Sequence, residues 1–130
     1  MDIVMHPIGY VRSDCKVPQD LPPVGQTDDV RAVLEIDAAY EEGLADVKPG
    51  DRLMVLFNFH LSKEALLTVP LRGVGPMTGV FSTHAPMRPN FIGVTTVEVL
   101  AKEGTSLSVK GADMLDGTPI LDLKSAPRGC

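Results

Sequence analysis

Nine consecutive residues, Arg52 to His60 (R-L-M-V-L-F-N-F-H), are apolar almost throughout. A run of that length suits a strand, and apolar side chains on both alternations predict one buried on both faces. The other candidate strands are Ile3 to Arg12, Val30 to Ile36, Ala65 to Val69, Gly79 to Thr83, Ile92 to Leu100, Ser106 to Lys110 and Ile120 to Leu123. Pro7 marks an edge or bend in the first of them. Breakers fall at Arg72 to Met77, at Glu103-Gly104 and at Asp116-Gly117-Thr118-Pro119, and the Asp-Gly pair reads as a hairpin turn. One short helix is predicted from Ala38 to about Val47, capped by Asp37 and stopped by Pro49-Gly50. Many short strands with one modest helix predict a mainly β domain, a small barrel or a sandwich.

At 130 residues the chain is expected to form a single domain spanning residues 1–130. No apolar run approaches a membrane span, and Met1-Asp2-Ile3 lacks the basic and apolar regions of a signal peptide. Cys15 and Cys130 have no metal or redox spacing, so free thiols in a reducing cytoplasm are expected. The net charge of −5 is uneven. Residues 1–50 hold four Lys/Arg against ten Asp/Glu, and residues 51–130 hold eight against seven. That is not the overall basic footprint of a nucleic-acid binder, so any such binding has to use a local patch.

His6, His60 and His84 are scattered with no metal-ligand spacing, and no metal is expected. Phosphate-cradling and dinucleotide glycine motifs are absent as well. Three stretches remain. In S-T-H-A-P-M-R-P-N-F-I-G, residues 82–93, Pro86 and Pro89 fix their own backbone and restrict Ala85 and Arg88. Such a loop either presents Arg88 and Asn90 to a ligand at little entropic cost or is a rigid corner with Arg88 paired to an acid. N-F-H-L, residues 58–61, ends the apolar strand in polar groups that face a pocket mouth or cap the core. D-M-L-D-G-T-P, residues 113–119, offers two carboxylates and a hydroxyl, or simply turns the chain.

Taken in order, these pieces resemble the TsaA-like family. The matching stretches are I-G-Y-V-R-S at 8–13, Y-E-E-G-L-A-D-V at 40–47, V-L-F-N-F-H at 55–60, G-V-F-S-T-H-A-P-M-R-P-N-F-I-G-V at 79–94 and D-M-L-D-G-T-P-I-L-D-L-K at 113–124. The resemblance implies a small β-barrel, a homodimer, and an S-adenosyl-L-methionine-dependent tRNA methyltransferase. Its acceptor would be the exocyclic amine of the threonylcarbamoyl-modified adenosine next to the anticodon. Carried over by position, the cofactor would meet Pro22, Pro23 and Val24, then His60 and Leu61, then His84, Val94, Leu115, Asp116, Gly117 and Thr118. Asp113 or Asp116 would take the amine proton, with His60 as the less favoured base. Arg88 would contact phosphate or the threonyl carboxylate, and Asn90 would orient a base edge or the loop. His84 stands where the family has arginine, Phe91 where it has proline and Val24 where it has a polar residue. These departures bear on the substrate more than on the fold. The alternatives are a barrel that binds the cofactor or a nucleoside without chemistry, and a methyltransferase of this fold for another RNA or a small molecule.

Overall fold

The computed structural model describes residues 1–22 and 26–127. Its strands are β1 (Gly9–Arg12), β2 (Arg31–Ile36), β3 (Arg52–Asn58), β4 (Thr68–Pro70), β5 (Met77–Gly79), β6 (Ile92–Glu103), β7 (Ser106–Lys110) and β8 (Pro119–Ser125). Six of them pair in the order β1-β2-β7-β6-β3-β8, and β8 returns to β1 to close an antiparallel barrel. β4 and β5 form a separate two-stranded ribbon in the excursion between β3 and β6.

Alternation sets what fills the interior. Leu34 of β2, Val55 of β3, Val99 of β6, Leu107 and Val109 of β7 and Ile120 of β8 are fully buried. β3 departs from the expectation of burial on both faces. Leu53, Val55 and Phe57 point inward, while Met54 and Leu56 are only half-buried outside. A closed barrel has one dry side, so the outer apolar residues of its most apolar strand stay partly wet.

Other differences have local causes. β1 starts at Gly9 rather than Ile3, and Ile3, Val4 and Met5 are exposed ahead of Pro7. The predicted helix is a 3-10 segment, Ala38–Leu44, in which the Asp37 carboxylate accepts from the Ala39 N–H at 3.1 Å and only Leu44 is buried. With Gly43 inside and one apolar anchor, too little side-chain packing is available to hold a longer α-helix. Residues 80–82, expected in a strand, form another 3-10 turn. Asp116-Gly117 turns the chain, with Gly117 at φ +80°, but does not make a hairpin. β7 and β8 are not neighbours in the sheet, so residues 111–118 cross the end of the barrel instead. Among the described residues no helix is long and apolar enough to cross a membrane.

Candidate functional site

One end of the barrel gathers three of the stretches singled out above. Where β3 runs out, the Phe59 N–H donates to the Phe91 carbonyl at 2.8 Å, and Asn58 pairs with Ile92 across the sheet. These contacts bring His60 beside the arginine-proline-asparagine loop. The crossing segment arrives from the other side. A Cβ built on Gly117 would meet the His60 ring nitrogen Nε2 at 4.0 Å, so the imidazole stands over the turn. Asp113, at the start of that segment, feels His84. Burial pushes its carboxyl above the ordinary value, and the His84 charge pulls it partly back.

Gly93 explains how tightly the strand end is built. It is buried in β6 opposite Phe57, and a Cβ there would collide with the rings of Phe57 and Phe59. Those rings form an edge-to-face pair with centroids 5.0 Å apart. The backbone beyond them is strained: Asn90 and Phe91 hold φ of +65° and +53°. Asparagine tolerates that region, but phenylalanine does so only where the surroundings impose it, a pattern that clusters at functional loops.

Several residues occupy places other than those expected. Arg88 turns inward on its own loop, donating from Nη1 to the carbonyls of Thr83 at 2.8 Å and Ala85 at 3.3 Å. Among the described residues it pairs with no acid; it fastens the two ends of the loop together. Asn90 is exposed at the rim. Asp116 accepts from the Ser13 N–H at 2.9 Å and meets Lys16 Nζ at 3.0 Å. Those contacts, the Ser13 bond foremost, hold its carboxyl below the ordinary value. Asp116 is therefore already engaged, whereas the carboxyl of Asp113 is held above the ordinary value. Thr118 is buried and spends its hydroxyl on the Leu115 carbonyl at 2.7 Å.

Leu61 is exposed, and Val94 is exposed on the outer face of β6 rather than among the loops. Pro22 is half-buried, while Pro23, Val24 and Cys130 lie outside the described residues. Motif matching missed Ser13 and Lys16, because their link to Asp116 spans most of the chain and no local pattern marks it. It also missed Ser62, whose buried hydroxyl just past Leu61 has no hydrogen-bond partner.

Chemically, this end offers an imidazole, the apolar Leu61 and Leu115, an open glycine turn and a carboxylate of raised basicity. That set suits a nucleoside bearing a positive charge, with the orphan Ser62 hydroxyl as a further polar group to satisfy. A cavity of about 1080 Å³ lies at the opposite end, between the 3-10 segment, the start of β3 and the end of β8. None of the residues of the 58–61, 82–93 and 113–119 stretches lines it. Among the described residues no three His, Cys, Asp or Glu side chains gather as a metal site.

The family model of the tRNA-methyltransferase O N-terminal domain matches residues 10–127. A probable S-adenosyl-L-methionine-binding protein of Methanothermobacter thermautotrophicus is 37% identical over 124 residues, which are 95% of this chain and 90% of the relative. A mouse tRNA (adenine(37)-N6)-methyltransferase is 41% identical over 88 residues, covering 65% of this chain and 20% of the mouse protein. A crystal structure of TrmO superposes with a TM-score of 0.82 at 33% identity, over 98% of this chain and 58% of that one. The chain thus spans little more than half of the solved structure it matches.

Proposed function

Because the chain belongs to the tRNA-methyltransferase O N-terminal domain family, we propose that it uses S-adenosyl-L-methionine to methylate the exocyclic amine of the threonylcarbamoyl-modified adenosine beside the tRNA anticodon. The observation that carries this reading is the His60 ring standing over the Gly117 turn, at a strand end tied to the Arg88 loop by the Phe59–Phe91 bond. His60, Leu61 and the Leu115-to-Gly117 turn would hold the nucleoside part of the cofactor. Bound there, S-adenosyl-L-methionine supplies an electrophilic methyl group on a sulfonium.

Transfer breaks the carbon–sulfur bond and forms a carbon–nitrogen bond in line, so positioning is the main contribution of the protein. The adenine amine sheds one proton as its nitrogen is methylated, and Asp113 would accept it. A carboxyl held above its ordinary value is a stronger base than an ordinary carboxylate. The loop fastened by Arg88 presents Asn90, at the rim, to the base or its threonylcarbamoyl group.

We also propose a cytoplasmic homodimer. Leu67, Val74, Met77 and Phe81 are well exposed on the excursion between β3 and β6. Met87 and Phe91 of the neighbouring loop are half-buried. Exposed apolar groups at that density fit a contact surface better than a wet one.

A second reading has its own support: the relative matched over 90% of its length is named only as a cofactor-binding protein. Transfer of tritiated methyl to bulk tRNA from cells lacking this methylation separates the two. Label appearing in the threonylcarbamoyl adenosine supports the methyltransferase. Saturable cofactor binding without transfer to tRNA leaves the binding barrel, and label entering another RNA or a small molecule redirects the substrate.

A further inference from the structure

The crossing turn and the segment after β1 are joined by side-chain bonds that no motif announces. Backbone bonds come first: the Val11 N–H donates to the Thr118 carbonyl at 2.9 Å, the Gly117 N–H to Val11 at 2.7 Å and the Asp116 N–H to Cys15 at 2.7 Å. The Asp116 carboxylate then uses both oxygens, one for the Ser13 N–H and the other for Lys16 Nζ. Lys16 does not end the chain of contacts. Its own N–H, like that of Val17, donates to Asp20 Oδ2, at 2.9 and 3.2 Å respectively. Asp20 leads directly into Leu21 and Pro22. A continuous path therefore runs from the turn beneath His60 to the head of the proline-rich loop.

We infer that Lys16 is a positioning residue for cofactor binding: with the Ser13 N–H it clamps the Asp116 carboxylate and so sets residues 16–22 against the Leu115-to-Gly117 turn. This inference rests on the cofactor site proposed above. It assigns Asp116 to holding the pocket in shape rather than to accepting the amine proton. Lys16 lies between the quoted motif stretches, whereas Ser13 and Asp116 lie within them. The ammonium is well exposed, which limits the effect of losing it to about two- to fivefold in affinity.

The test compares Lys16→Met, Lys16→Arg and Asp116→Asn in the full chain. Calorimetric titration with S-adenosylhomocysteine gives affinity, single-turnover transfer at saturating cofactor gives rate, and amide hydrogen exchange reports the loop independently of chemistry. Lys16→Met should weaken affinity about two- to fivefold and speed exchange across residues 14–22, with the melting temperature and saturated rate near wild type. Lys16→Arg should restore both affinity and protection. Asp116→Asn should weaken affinity at least as much and retain most of the saturated rate. Wild-type affinity and exchange in Lys16→Met would overturn the inference. So would an Asp116→Asn protein that binds normally but transfers about a hundredfold more slowly, since Asp116 would then be the base. If wild type bound no S-adenosylhomocysteine, the proposed cofactor site would fail first, and the changed exchange in Lys16→Met would alone decide whether the clamp exists.

Discussion

Gly93→Ala tests the construction of the strand end most directly. The added methyl would lie 2.6 Å from Phe57 Cε2 and 2.8 Å from Phe59 Cζ, well inside contact distance. Phe57 is 4% exposed in the core and cannot swing out, so most of the movement falls on the half-buried Phe59. Inserting a methylene-sized group into a well-packed core costs about 1–3 kcal/mol. For a chain of 130 residues, an unfolding entropy of about 2.1 cal/mol/K per residue turns that into a melting temperature lower by about 4–11 °C. Calorimetric scans of wild type, Gly93→Ala, Phe59→Leu and the double variant measure it. The double variant should be less destabilised than the sum of the singles, because a leucine ends short of the new methyl. Displacing Phe59 also moves its neighbour His60, so cofactor affinity should fall in Gly93→Ala and partly recover in the double variant. A melting temperature within about 1 °C of wild type would show that the rings do not pack over Gly93, and the argument for a fixed His60 would go with it.

Asp113 has a folded-state affinity for its proton above that of the unfolded chain, so its contribution to stability declines as pH rises from the ordinary carboxylate value through the raised folded value. Asp113→Asn should flatten that decline in a pH series of melting curves while slowing methyl transfer about a hundredfold, and an unchanged rate would remove Asp113 as the base. Arg88→Ala releases the Thr83 and Ala85 carbonyls, and limited proteolysis should then cut within residues 83–90 at a protease concentration that spares wild type. Arg88→Lys should protect only partly, because an ammonium cannot reproduce the planar fork; full protection in Arg88→Ala would show that the guanidinium does not fasten the loop.

Most of the strands were legible because burial imposes period two on their sequence. β2 and β7 lie within a residue of where alternation put them, and their inward sets are the alternating Ala32, Leu34, Ile36 and Leu107, Val109. Closure was not legible. It depends on Gly9 meeting Ile120, and nothing in either stretch names the other as partner. The Asp116-Gly117 pair misled for the same reason. A turn signal reports a local change of direction, whereas a hairpin also needs the flanking strands to be neighbours. At the site, Asp113 and Asp116 were indistinguishable as letters in D-M-L-D. Desolvation raises the carboxyl of one against the pull of His84, and a long-range bond from Ser13 lowers the other. The direction of Arg88 was not legible, because carbonyl partners leave no trace in a sequence.

The return of β8 to β1 also bears on how the molecule comes into being. The pairing joins nearly opposite ends of the chain, so little of its loop-closure entropy is recovered until most of the other strands are in place. The bonds from Val11 and Ser13 to residues 116–118 span the same distance and form in the same late step. A nascent chain would therefore hold a hydrophobic half-barrel before it held a binding site. Cofactor binding would then recognise only the closed barrel and slow its reopening.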